Sequence, residues 1–123
     1  MGLLAKELGR VLVTGSNYAT ANTLVTNATQ KDTIITKITL YNDHTADVTV
    51  TLCRVLNNAG AVAVGVVTDI FWSQTINTKD TLILGHTDVS IPLIGTNDTI
   101  QVYADVASKV NVFADGFTLA DQT

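Results

Sequence analysis

Charge, cysteine and aromatic residues are all scarce in this chain. Charged residues make up 15% of its 123 positions, whereas a typical soluble protein has about 25%. Cys53 is the one cysteine, so an intrachain disulfide is excluded. Seven scattered Lys and Arg stand against eleven Asp and Glu, which gives a net charge of −4. Because nucleic acids and anionic membrane surfaces are bound by concentrated positive charge, we expect neither as a partner.

Sequence signatures of targeting and of catalysis are missing as well. No apolar run approaches the ~20 residues that a membrane-spanning helix needs. The first ten residues lack the basic start and long apolar stretch of a signal peptide, so we expect synthesis in the cytoplasm. There is no nucleophile elbow, P-loop or dinucleotide-binding fingerprint. His44 and His86 lie in turn-like sequences without zinc-ligand spacing, and Cys53 has the surroundings of a packed thiol. The sequence therefore predicts no enzyme, no cofactor and no metal.

Threonine supplies much of the polarity that charge does not, with twenty positions beside nine asparagines. Because threonine is β-branched, it packs well on a pleated surface and loses rotamer freedom in a helix. Short β-rich runs alternate with turns built from Gly, Asn and Asp. The predicted strands are Thr33–Tyr41, Val48–Leu56, Thr81–Leu84, Val89–Ile94, Thr99–Ala104 and Val110–Leu119. The pattern predicts an all-β protein, an antiparallel β-sandwich of jelly-roll-like form, as a single domain over residues 11–123.

Alternation along two of these strands predicts which side chains face the core. Ile34, Ile38 and Leu40 share one face of the first strand. In the next strand Val50 and its neighbours at even positions face inward, which places Cys53 on the outward side.

Residues 1–10 form a predicted N-terminal arm. Leu4 and Leu8 are four positions apart and Leu3 adjoins them, a spacing typical of one helix face. Ten residues alone do not hold a helix in water, so the arm is either frayed or ordered by docking these leucines on a partner. We therefore expect a short helical or extended arm.

A short motif recurs three times, as Lys31-Asp32-Thr33-Ile34, Lys79-Asp80-Thr81-Leu82 and Asn97-Asp98-Thr99-Ile100. An Asp side chain can accept a nearby backbone N–H and so close the turn that leads into a strand. The three motifs are therefore interpreted as equivalent loop-to-strand corners. A calcium site made of the three carboxylates is the alternative, but it needs six to eight clustered oxygens.

The segment from Ala59 to Val67 is uncharged and apolar on both parities. Valines fill one parity, and the small residues Ala61, Ala63 and Gly65 fill the other, with Phe71 and Trp72 following soon after. In a two-sheet sandwich only one face of a strand meets the core. The second face therefore meets either another polypeptide or a loop of the same chain. The candidate interface residues are Leu3, Leu4, Leu8, Ala61, Ala63, Gly65, Phe71 and Trp72.

Two stretches resemble a known family. Thr36-Lys37-Ile38-Thr39-Leu40-Tyr41-Asn42 followed by Ala46-Asp47-Val48-Thr49-Val50-Thr51-Leu52 looks like the paired strands of small virion proteins of tailed bacteriophages. The later stretch from Asp80 to Gly116 is similar to the second half of that family. The resemblance covers roughly Thr33 to Phe117 and contains no catalytic signature. It implies a β-sandwich that decorates or cements the capsid, or that builds part of the tail or its fibres.

The expected function is therefore that of a phage virion structural protein, with capsid decoration favoured over a tail, neck or baseplate role. The expected partners are other virion proteins, either the major capsid protein or tail proteins, together with further copies of this chain. The expected location is the virion. A carbohydrate- or receptor-binding β-sandwich module is the alternative from another class. Such modules usually gather aromatics on one face, whereas Tyr18, Tyr41, Tyr103 and Trp72 are dispersed along the sequence.

Overall fold

The structure, a computed structural model, describes residues 6–17, 20–27, 31–55, 69–85, 91–93 and 98–120. Within these ranges the chain forms nine β-strands and no helix, which confirms the predicted all-β class. The strands are β1 (Lys6–Leu12), β2 (Asn22–Thr26), β3 (Lys31–Asn42), β4 (Val48–Val55), β5 (Asp69–Ile76), β6 (Thr81–Leu84), β7 (Ile91–Leu93), β8 (Thr99–Ala104) and β9 (Val110–Ala120).

The strands form two antiparallel sheets, and the chain crosses repeatedly between them. Sheet 1 has the order β1-β9-β3-β6, with β7 pairing with the first part of β3. Sheet 2 has the order β2-β8-β4-β5. Such crossing between a five-stranded and a four-stranded layer is the jelly-roll arrangement, in which Greek-key connections carry the chain repeatedly from one sheet to the other. The predicted antiparallel sandwich is thus confirmed.

The core lies between the sheets and consists almost entirely of aliphatic side chains. Alternate residues of β4, β8 and β9 point into it and are fully buried, as the two-residue period of a strand requires. Its largest members are Ile35, Ile38, Leu40, Leu52, Leu93, Ile100, Val48, Val50, Val102 and Val110. Burial of these side chains, rather than any cross-link, holds the sandwich together.

A β-bulge in β3 changes the face that was predicted for its first half. Register shifts between Ile35 and Lys37, so that Thr36 is the extra residue opposite β9. Ile35 is therefore buried together with Ile38, whereas Ile34 lies on the other face and is half-buried. The prediction that Ile34 and Ile38 share a face is wrong because a bulge reverses the alternation of a strand.

The helical alternative for the N-terminal arm is wrong over residues 6–10. These residues belong to β1, which pairs with β9 from Lys6 opposite Gly116 to Leu12 opposite Asn111. The spacing of two leucines gives only a weak preference for a helix, whereas pairing with β9 satisfies the backbone hydrogen bonds along the whole segment. The strand runs past the domain boundary predicted at residue 10, and residues 1–5 lie outside the described residues.

Backbones of the two sheets approach closely where β1 meets β2. Leu8 is the extra residue of a bulge in β1, and Leu24 is the extra residue of a bulge in β2. A Cβ added to Gly9 would overlap the backbone carbonyl of Leu24. Only glycine therefore permits this approach, and β1 and β2 together close one side of the sandwich.

Candidate functional site

The two long sides of the sandwich differ in their edge strands. β1 and β2 are in contact and form the closed side. β5 and β6 are the opposite edges of the two sheets, and the turn at residues 77–80 joins them. We call the edges of β5 and β6 the open side. Within the described ranges, each of these two strands has a hydrogen-bonded neighbour strand on one flank only.

Charged side chains line the edge strand β1 on the closed side. Lys6, Glu7 and Arg10 are all exposed there. Arg10 Nε donates to Glu7 Oε1 at 2.9 Å, and the guanidinium lies over the Phe113 ring at 4.8 Å from its centroid. Charged residues on an edge strand discourage another chain from pairing with it. The closed side therefore carries the usual protection against strand addition.

The open side carries no such charge. β5 is uncharged from Ile70 to Ile76, and β6 is uncharged throughout. Ile70 and Ile83 are 51% and 54% exposed, the highest values among the large exposed hydrophobic residues of the described chain. An unpaired, uncharged strand edge with exposed apolar side chains is a site at which another polypeptide can pair.

Hydroxyl pairs fix β5 on its neighbour β4. Thr49 Oγ1 and Thr75 Oγ1 lie 2.9 Å apart, and Thr51 Oγ1 and Ser73 Oγ lie 3.0 Å apart. Such cross-strand pairs stabilise a sheet by a few tenths of a kcal/mol to about 1 kcal/mol each. The strand is thus held in place from one flank while its other edge stays accessible.

A buried amide holds the loops that follow β3 and β5 together. Asn42 is fully buried, and its Nδ2 donates to the carbonyls of Ala46 and Ile76 at 3.0 Å. Its Oδ1 accepts the His44 backbone N–H at 2.8 Å. Because these partners lie in separate loops, Asn42 sets the direction in which the chain leaves β5 for β6.

An exposed ion pair lies above the same junction. Lys79 Nζ is 2.9 Å from Asp43 Oδ1, and it also donates to the Asp43 carbonyl at 2.8 Å. The hydrogen bond that Lys79 donates and the charge of Lys79 lower the pKa of Asp43, and the same hydrogen bond to Asp43 raises the pKa of Lys79. Exposed pairs contribute little to stability, so we interpret this one as orienting the turn.

The residues proposed as an interface are only partly described. Leu8, Phe71 and Trp72 are half-buried and pack against the chain's own core. The others, which are Leu3, Leu4, Ala61, Ala63 and Gly65, lie outside the described residues. Their role in an interface stays a prediction. Sequence reasoning missed Ile70 and Ile83, because exposure at an edge depends on strand order and not on local pattern.

Cys53 is buried although alternation places it on the outer face of sheet 2. It is 0% exposed, and its Sγ donates to the Gln101 carbonyl at 3.6 Å. Burial raises the pKa of the Cys53 thiol to about 11. The thiolate is the nucleophilic form, so this side chain is unreactive near neutral pH, as its sequence context predicts.

Among the described residues, the candidate metal-binding side chains do not come together. No group of three His, Cys, Asp or Glu side chains suited to a metal occurs in the described ranges. Asp80 is exposed and accepts the Thr81 N–H at 2.9 Å, while Asp98 is buried and its carbonyl accepts the Asn27 N–H. His86 lies outside the described residues. Asn27, in a glycosylation-like triplet, is fully buried.

Three aromatic side chains share the outer face of sheet 1. Tyr41, Phe113 and Phe117 all alternate with buried neighbours on β3 or β9, and each is half-buried. Tyr103 belongs to the outer face of sheet 2, and Trp72 packs against the core. Tyr41, Tyr103 and Trp72 are thus dispersed and Tyr18 lies outside the described residues, but two phenylalanines share the face of Tyr41.

No protein-family model and no curated protein matches this sequence. Four chains of solved structures match it. One belongs to the Bacillus endospore appendages described as "a novel family of disulfide-linked pili". It is 16% identical, the alignment covers 98% of this chain and 89% of that chain, and the TM-score is 0.46. A likeness this distant carries no information on function. None of the described residues forms a helix long and apolar enough to cross a membrane.

Proposed function

We propose that this protein is a structural subunit of a larger protein assembly. The observation that carries the proposal is the open side, where β6 and residues 70–76 of β5 lack charge and where Ile70 and Ile83 are exposed. Natural proteins usually protect such edges with charge, proline, a bulge or a covering segment, and of these the described part of β5 has a bulge at Phe71 but no charge from Ile70 to Ile76. An assembly subunit needs no such protection, because a neighbouring polypeptide covers the edge.

The assembly that we propose is the virion of a tailed bacteriophage, with the subunit decorating the capsid. Support comes from the resemblance of the Thr36–Leu52 strand pair, and of the stretch from Asp80 to Gly116, to small virion proteins. Many copies would cover junctions of the major capsid protein and stabilise the shell by burying surface. The net charge of −4 favours an outer surface over one that faces packaged DNA. A place in the tail, neck or baseplate is the alternative within the same class.

Sedimentation of material from the cells that produce the protein tests the proposal. We expect the chain in a fast-sedimenting fraction at a fixed ratio to one larger protein, with particles visible by electron microscopy. Labelling on the shell would support decoration, and labelling on the tail would support the alternative. A chain found only in the slow fraction, at every stage of growth, would contradict an assembly role.

Glycan binding is the second candidate function, favoured by the shared face of Tyr41, Phe113 and Phe117. Aromatic rings on a sheet face can stack on sugar rings, although Arg10 already covers one face of Phe113. Binding of the isolated protein to a glycan array, lost in Tyr41→Ala, would support this function. A wild-type protein that binds no glycan on the array would refute this function.

A further inference from the structure

We propose that β5 pairs antiparallel with β5 of a second copy of this chain, across a twofold axis on the open side. The two four-stranded sheets 2 would then form one continuous sheet of eight strands. This proposal rests on the proposed assembly role and names the first partner at that site. The β5 pairing and the assembly role have separate tests, because the pairing can be measured on the isolated protein and the assembly role cannot.

The absence of charge along β5 selects a second copy as the partner. In a twofold pair each residue near the axis lies close to its own copy, so a charged residue there would face a like charge. From Ile70 to Ile76 there is no charged residue, and Asp69 lies at the far end of the strand. β5 can therefore meet its own copy without repulsion, even though the whole chain carries a net charge of −4.

The other edges of the sandwich suit such pairing less well. In β1, Lys6, Glu7 and Arg10 would face like charges near any axis. Pro92 in β7 has no N–H to donate. β2 and β6 have five and four residues against eight in β5, so they offer fewer backbone hydrogen bonds. Length and neutrality together single out β5.

The position of the axis follows from the uncharged stretch. Ser73 is its midpoint, so a pair centred there places Ser73 opposite Ser73 of the second copy and leaves Phe71, the extra residue of a bulge in β5, near the end of the pair. Trp72 then lies opposite Gln74, and both side chains are on the inner side of sheet 2. Gln74 is exposed and Trp72 is half-exposed in the single chain. Pairing would shield both, and β6 on the same side adds no charge.

Charge substitutions at the midpoint give a direct test. Ser73→Lys and Ser73→Glu each place like charges on the axis, so we expect each variant to dissociate about fivefold or more readily than wild type. A mixture of the two variants places opposite charges there, and we expect it to form a mixed dimer at least as tight as wild type. Analytical ultracentrifugation over a concentration series measures the dissociation constants of wild type, of each variant and of the mixture.

Two controls separate pairing from folding. Ser73→Ala removes the hydroxyl contact with Thr51 but adds no charge, and it should dimerise like wild type. Thr26→Lys places the same charge at an exposed residue of β2 on the closed side, away from β5, and should also leave the dimer intact. Thermal melting should show that every variant is folded. Amide hydrogen exchange should be slower in β5 of the dimer than in β5 of the Ser73→Lys monomer.

The outcomes decide between the two proposals. A wild-type protein that stays monomeric up to millimolar concentration, or a Ser73→Lys variant that dimerises as tightly as wild type, overturns the pairing. So does a mixture that associates no better than either variant alone. If Ser73→Lys still enters a large assembly, the assembly role stands and β5 pairing does not hold it together. If wild type forms the β5 dimer but never enters a large assembly, the pairing stands and the assembly role fails.

Discussion

The Gly9→Ala substitution tests whether close backbone contact closes the sandwich at β1 and β2. The added methyl group would overlap the carbonyl of Leu24, which is backbone and cannot rotate away as a side chain would. The overlap is relieved only if β1 moves away from β2, which would uncover core residues such as Val25 and Val13. Overpacking of this kind typically costs about 1 to 3 kcal/mol, and we expect the upper part of that range.

Thermal and urea unfolding measure this loss. For a domain of this size, about 3 kcal/mol corresponds to a decrease in Tm of roughly 10 °C. Gly85→Ala is the matched control, because a methyl group there has no heavy atom within 4 Å. That control should change stability by less than about 1 kcal/mol, in either direction. If Gly9→Ala melts within a degree of wild type, the strands are farther apart than the structure shows and the argument fails.

Three further predictions concern single side chains. Burial raises the pKa of the Cys53 thiol from 9.0 to about 11, so between these pH values the unfolded chain ionises and the folded chain does not. The stability that this thiol contributes below pH 9 is therefore lost as pH rises to 11. In urea titrations the unfolding free energy of wild type should fall by roughly 2 to 3 kcal/mol more than that of Cys53→Ala over this pH range. The same pH dependence in both proteins would contradict the prediction. Asn42→Ala leaves buried carbonyls unpaired and should cost about 3 kcal/mol, measured by urea unfolding; a loss below about 1 kcal/mol would show that water replaces the amide. Ser108 has φ 62°, so Ser108→Gly should raise stability by up to about 1 kcal/mol, whereas Ala107→Gly should lower it; the same sign for both would refute the reasoning.

Much of the fold could be predicted because strand alternation and turn chemistry are local properties. The predicted limits of β6 and β8 and the predicted start of β4 match the structure, while Leu56, the predicted end of β4, lies outside the described residues. β-Bulges could not be predicted, because an extra residue is visible only against its partner strand. Thr36 changes the inward face of β3 for this reason, although the sequence there alternates without a break. β1 was missed because its leucine spacing fits a helix and only pairing with β9 makes it a strand.

The candidate site could be predicted less well than the fold. Phe71 and Trp72 drew attention as large apolar residues, yet both pack against the core. The exposed residue is instead their neighbour Ile70. The register shift between Leu52 and Cys53 places Ile70 opposite Cys53, whose side chain is on the outer face of sheet 2. Edge position depends on the order β2-β8-β4-β5, which joins strands distant in sequence. The sequence pattern within a single strand contains no information on this strand order.

The pairing of the first and last strands has a mechanical consequence. The chain enters β1 at Lys6, opposite Gly116, and leaves β9 at Ala120 shortly beyond. Tension between these two ends would pull the strands apart from one end, so that the hydrogen bonds of the pair break in succession and each resists alone. A load applied across the open side would instead act on a whole strand at once. The chain would therefore resist a force that acts across its edge strands better than a force that pulls Lys6 away from Ala120.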